Sequence, residues 1–313
     1  MICLDQLLSP DRRSGSFCVD ASGHTPGQIE LEWIPASHEQ GAPIQADVPI
    51  LLFSSGFMTE HDSDWTAFMQ ASFGDCHLVR VRWQSDDLRT LMRDSFQRLT
   101  LEQLGQQVAT QVASRALTSF IPVVGPLLAL KTSYDTMRLY REISLARGRW
   151  VKAREEAEAA GAALAERLMA AQTPTRPAGA PSTPRVILVG HSLGARLMAH
   201  CLHRTAPGLV HTACFMGGAL DAASPIVDTL HAKVQVPPMN LHSAQDDVLQ
   251  WLYKLGNLDT RDAMGRRQIG TPRGFRDIDM SATVKGHSQY CHNATVAATL
   301  RNQCLAEIQR WAT

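Results

Sequence analysis

The stretch Arg185-Val186-Ile187-Leu188-Val189-Gly190-His191-Ser192-Leu193-Gly194 decides how the rest of the chain is read. Four apolar, mostly β-branched residues run straight into a glycine-flanked serine. An apolar run of that kind predicts a strand buried on both faces. Residues 195–202 then predict a helix, with Leu197, Cys201 and Leu202 on one face. The pattern is strand, G-x-S-x-G, helix. In that context the serine occupies a strained turn that lifts its hydroxyl off the end of the sheet. Side chains at Gly190 and Gly194 would collide with the neighbouring strand and helix, which is why both are glycine. The same turn puts the Leu193 N–H at a helix N-terminus, where it can stabilise an oxyanion.

A serine hydroxyl is a weak nucleophile. It needs a base, and the base needs an acid to orient it. The expected chain order is serine, then Asp or Glu, then histidine, each past the end of a strand. The strand-like run 238–243 leads into Asp246 and Asp247, and the run 275–280 leads to Gly286-His287. Asp246 lies at the first turn past its strand and is the expected acid. Asp247 is expected to start or cap the helix over 248–255. His287 is the expected base. His242 precedes the acid, and His292 falls within an expected final helix over 291–311. Gly286 suits an exposed loop. The second oxyanion donor is expected after the strand 49–54, from the N–H of Phe57 or Met58, with Gly56 giving the backbone close access to a ligand. Gly56, Met58 and His191 are expected to border the substrate. Asp64 is expected as the N-cap of a helix beginning at Trp65, with Asp62, Asp64 and Trp65 as alternative pocket residues.

Eight strands are expected, at 16–20, 28–34, 49–54, 77–83, 185–189, 211–216, 238–243 and 275–280, the first two as a hairpin. The others alternate with helical stretches, so the fold class is α/β, a mostly parallel, doubly wound sheet. The nucleophile follows the fifth strand, the acid the seventh and the histidine the eighth, as in the α/β-hydrolase fold. The hydrolase core is expected over 1–83 and 185–313, with a largely helical insertion over 84–184 between the fourth and fifth strands. That insertion holds mixed helix (87–120), an apolar run (116–130) and a charged helix (141–171). The helix carries pairs such as Arg154 with Glu158. A proline-rich linker (172–184) closes it. Residues 116–130, broken by Pro122, Gly125 and Pro126, are too short for a span of roughly 20 residues. They are expected either as buried helix-turn-helix or as a lid and peripheral membrane contact.

Composition sets the outer bounds. A chain of 313 residues at 44% hydrophobic content can bury a full core, and its net charge of zero argues against a nucleic-acid footprint. Residues 1–13 are not expected to act as a signal peptide. Seven cysteines at irregular spacing fit a reducing, cytoplasmic setting, with Cys76, Cys201 and Cys214 as core residues. No metal or organic cofactor is expected, since histidines and cysteines lack ligand spacing.

Five features coincide: Ser55-Gly56-Phe57 followed by Asp62, Asp64 and Trp65; Val81-Arg82-Trp83; the segment 189–196; Met216-Gly217-Gly218-Ala219; and 243–249 with Gly286-His287. On these the chain, from about Ile50 onward, resembles the uncharacterised α/β-hydrolases grouped with transmembrane and coiled-coil domain protein four. The resemblance implies the fold and a triad of Ser192, Asp246 and His287. Members of that family tend to carry longer glycine-rich apolar segments, and the short run 116–130 departs from that. The expectation is a serine hydrolase acting on a carboxylic ester of a lipid or another acyl chain. Its substrate would be a small-molecule or lipid ester. The alternatives are a thioesterase or amidase with the same triad, or a membrane-associated interaction protein on a hydrolase scaffold.

Overall fold

A computed structural model describes residues 4–8, 27–35, 48–56, 62–83, 134–172, 185–257 and 261–309. Its sheet has seven strands: β1 (Ile29–Ile34), β2 (Ile50–Ser54), β3 (His77–Trp83), β4 (Val186–His191), β5 (Val210–Met216), β6 (Met239–His242) and β7 (Arg276–Asp279). They lie in the order β1-β3-β2-β4-β5-β6-β7. β1 pairs antiparallel with β3, and all other pairs are parallel. These seven correspond to the second to eighth expected strands. The expected first strand (16–20), the mixed helix (87–120), the apolar run (116–130) and linker residues 173–184 lie outside the described residues.

The central strands β2, β4, β5 and β6 are buried at every position because both sheet faces are covered. In β4, Val186 and Leu188 face one core, while Ile187 and Val189 face the other. The first core is closed by α3 (Tyr134–Ala170), α4 (Leu193–Arg204), α5 (Pro225–Leu230) and α6 (Asp247–Asn257), with α1 (Leu4–Leu8) at its margin. The second is closed by α2 (Asp62–Phe73) and α7 (Ala294–Gln309).

α3 falls in the interval expected as an insertion, yet its described face belongs to the main core. Trp150, Ala153, Ala157, Ala160, Leu164 and Leu168 are buried there. Small residues let α3 approach α4 closely. A Cβ on Gly161 would lie 2.4 Å from the Leu197 carbonyl oxygen. The expected surface pair of Arg154 and Glu158 is present at 3.9 Å, but Glu158 is held more tightly by Arg196 of α4, at 2.6 Å. The charges of α3 therefore tie two helices together rather than only solvating a face.

Candidate active site

Ser192 stands between β4 and α4 at φ 57°, ψ −123°, the one non-glycine residue with positive φ among the described residues. The turn is enforced from both sides. A Cβ on Gly190 would lie 2.6 Å from the Ala195 Cα, and one on Gly194 would lie 2.3 Å from the Ser54 carbonyl oxygen. The Ser192 N–H donates to the Met216 carbonyl at 3.1 Å, and its carbonyl accepts from the Ala219 N–H at 3.0 Å. The end of β5 thus grips the serine backbone. Leu193 opens α4, so its N–H is among those a helix leaves without an internal partner.

Gly56 lies against the serine itself. A Cβ there would fall 2.1 Å from the Ser192 Cβ and 2.8 Å from its Oγ. The glycine was expected to admit a ligand. The structure instead shows it admitting the chain past Ser192, after the end of β2. Phe57 and Met58, the expected donor and lining residues, lie outside the described residues.

Asp246 and His287 come together from the loops after β6 and β7. His287 Nδ1 donates to Asp246 Oδ2 at 2.7 Å. The second carboxylate oxygen, Oδ1, accepts from the Leu249 N–H at 3.0 Å. Asp246 is fully buried and His287 is 6% exposed, so this pair is shielded from water. With its proton on Nδ1, neutral His287 presents an unprotonated Nε2, which makes no hydrogen bond among the described residues. Asp247 begins α6, as expected, and its Oδ1 accepts from the adjacent Val248 N–H, but the cap position is held by Asp246, whose Oδ1 takes the Leu249 N–H three residues on. The Ser243 hydroxyl donates to the Val284 carbonyl at 2.7 Å and links the acid turn to the histidine loop. Gly286 precedes His287 in ordinary extended backbone at φ −159°, with open space around it, so no conformational demand selects glycine there.

Several placements differ from expectation. His191, expected at the substrate, is 1% exposed and sits beneath the histidine loop. Its Nε2 lies 3.0 Å from the His287 carbonyl oxygen. α2 starts at Asp62, so Asp64 lies in its first turn rather than at the cap, and Trp65 is buried with its ring stacked on His191. His292 ends a 3-10 turn (His287–His292), before α7 rather than inside it. His242 is a buried residue of β6 and neither ring nitrogen has a hydrogen-bond partner among the described residues. Cys76, Cys201 and Cys214 are free and buried, and burial pushes each thiol pKa upward.

Two supporting residues were given no structural role from sequence. Tyr290 is fully buried beside Gly217, where an added Cβ would meet its ring at 2.9 Å and Asp246 Oδ2 at 3.3 Å. Gly217 is thus a glycine because the loop after β5 passes between the serine and the acid. Arg196 spans from Glu158, at 2.6 Å, to the Ala219 carbonyl, at 3.3 Å, and braces that same loop. Its position in Gly194-Ala195-Arg196 is visible in sequence, but its partners are not.

The arrangement can hold one imidazole in a fixed tautomer with its free nitrogen unprotonated, on the sheet end where the strained serine stands. Among the described residues no group of three or more His, Cys, Asp or Glu side chains is placed to hold a metal. Among them, too, no helix is long and apolar enough to cross a membrane.

A family model described as "Protein of unknown function (DUF726)" matches residues 30–301. "Transmembrane and coiled-coil domain-containing protein STS1" of Oryza sativa subsp. japonica is 26% identical over 273 residues, covering 84% of this chain and 37% of its own length. An "Uncharacterized membrane protein" of Schizosaccharomyces pombe is 23% identical over 274 residues, covering 84% of this chain and 43% of its own. The chain therefore spans less than half the length of these relatives. Among solved structures, "Crystal structure of esterase PE8" is similar at a TM-score of 0.38 and 17% identity, covering 90% of this chain and 99% of that one. "Est1E from Butyrivibrio proteoclasticus" is similar at a TM-score of 0.41 and 10% identity, covering 95% and 100%.

Proposed function

The chain belongs to the family described as protein of unknown function (DUF726), and from that premise we propose that it is a serine hydrolase of the α/β-hydrolase fold that cleaves carboxylic esters. The observation that carries this reading is the 2.7 Å contact of His287 Nδ1 with the buried carboxylate of Asp246, on the sheet end where Ser192 stands at φ 57°. A strained serine is costly, by roughly 1–3 kcal/mol, and such strain clusters at working sites. The strand order, with its one antiparallel edge strand, supports the same fold.

Ser192 Oγ attacks the ester carbonyl while His287 Nε2 takes its proton. Asp246 fixes the His287 tautomer and stabilises the imidazolium. The Leu193 and Phe57 N–H groups bind the oxyanion, each worth roughly 3 kcal/mol. His287 returns the proton to the leaving alcohol, and an acyl-enzyme remains on Ser192. Water, activated by the same imidazole, then releases the acid. The acyl group proposed is a lipid or other chain, with peripheral membrane contact through 116–130. The word membrane or transmembrane in the relatives' names fits that contact and the family resemblance.

The test is a fluorophosphonate probe on the purified protein, with the label located by mass spectrometry. Labelling at Ser192 that is lost in His287→Ala is expected, followed by an ester chain-length series. A folded protein that takes no label would overturn the reading.

A further inference from the structure

The residue before the serine carries chemistry that the proposed mechanism does not use. His191 Nε2 lies 3.0 Å from the backbone carbonyl oxygen of His287. A carbonyl can only accept, so the proton of the neutral ring sits on Nε2 and is donated there. Nδ1 is buried and has no hydrogen-bond partner among the described residues. Trp65 stacks on one side of the ring, with centroids 4.7 Å apart and planes at 29°. His287 and Tyr290 close its other neighbours at 4.5 Å and 5.3 Å. Burial first, then the nearby His287, holds the His191 pKa well below its ordinary 6.5, so the ring stays a neutral donor.

Resting on the hydrolase reading above, we propose that His191 is a positioning residue whose Nε2–H, held in place by Trp65, anchors the His287 backbone at the site. The physical need is plain. His287 opens a single 3-10 turn on a loop, and Asp246 restrains its ring only at Nδ1. At His287 itself that one tether fixes the ring's distance from Asp246 but lets it swing, and the Ser243 hydroxyl holds the loop only at Val284. A second, at the carbonyl, fixes the backbone from which the ring hangs. Misplacing a reacting group by about 1 Å costs on the order of a hundredfold in rate. Trp65 belongs to α2, which follows the chain leaving Gly56, so the same ring ties the histidine loop to the serine's other flank.

The inference is tested by Ser192 labelling rates with the fluorophosphonate probe in wild type, His191→Gln and His191→Phe. Phenylalanine keeps the aromatic stack and removes the donor. Glutamine removes the stack and keeps an amide N–H within reach of the Nε2 position. His191→Phe is expected to fall on the order of tenfold or more while keeping its circular dichroism. His191→Gln is expected to keep several-fold more of the wild-type rate than His191→Phe. A phenylalanine variant as fast as the glutamine variant reduces His191 to packing and overturns the inference alone. Wild type that takes no label at Ser192 overturns the hydrolase reading and this inference with it. If His191→Phe does not fold, nitrogen-15 spectra of wild-type histidine decide. A His191 proton on Nε2 is expected, and one on Nδ1 overturns the anchor.

Discussion

Ser192 holds φ 57° because Gly190, Gly194 and Gly56 have no side chains to prevent it. Each of those three contacts is closer than a Cβ tolerates, so the serine's geometry is set by what its neighbours lack. The two adjacent aspartates show how finely position divides roles. Asp246 turns one oxygen to His287 and the other to the Leu249 N–H. Asp247, one residue on, turns an oxygen to the start of α6. Asp246→Asn should therefore cut the proposed esterase activity by roughly ten-thousand-fold, since an amide no longer fixes the His287 tautomer that the proposed mechanism needs. Asp247→Ala should cost about 0.3–1 kcal/mol of stability as a carboxylate lost from the first turn of α6, and leave activity nearly intact. Steady-state rates and thermal melts of the two variants side by side check this. Equal rate losses would mean the acid is misassigned.

At the scale of elements, α3 and α4 form the contact on which the serine turn rests. Gly161 sits mid-helix, where glycine costs about 1 kcal/mol relative to alanine, so something must require it. The requirement is closeness: an added methyl would meet the Leu197 carbonyl at 2.4 Å and the His200 Cβ at 2.9 Å. Gly161→Ala should thus destabilise by a net 1–2 kcal/mol, roughly, because overpacking outweighs the propensity gain. Differential scanning calorimetry reads this directly. A rise in Tm would show that the helices can separate freely. This contact also explains a limit of reading helix 141–171 from its charges. Its Arg and Glu side chains, such as the pair Arg154 and Glu158, are what the sequence displays. The alanine face beneath them, with Trp150 and Leu164, is what packs, and alanine is too weak a hydrophobic signal to announce a core helix by composition.

Across the whole molecule, the fold buries histidines that an unfolded chain would expose. His191 and His200 are held below their ordinary 6.5, His200 at about 4, in each case chiefly by burial. His242 shifts the same way for the same first reason, against the opposing pull of Asp279 and Asp277. The unfolded chain then binds more protons than the folded one below pH 6.5. Stability from these groups is fully present above about pH 6.5 and is lost as the pH falls toward 4. Tm should drop steadily across that window in a calorimetric series from pH 7.5 to 4.5. A flat Tm over the same range would mean these side chains are solvated or paired in the folded state.

Sequence alone determined the elements whose signal is local. Apolar runs such as 50–53 and 186–189 marked the central strands, because a strand covered on both faces is buried along its whole length. The flanking glycines marked the serine turn, because only glycine tolerates such close approach. Chain order singled out Asp246 and His287 as the residues to examine. What only the tertiary structure decided are contacts between residues far apart in the chain. The strand order, the docking of α3 on α4 and the Trp65–His191–His287 ring cluster join positions that no periodicity connects. His191 shows the difference most sharply. Sequence placed it beside the serine and therefore near the substrate, but the path of the β7 loop turned a 3.0 Å donor toward the base instead. The direction of a side chain depends on which distant backbone covers it, and that is fixed only when the sheet assembles.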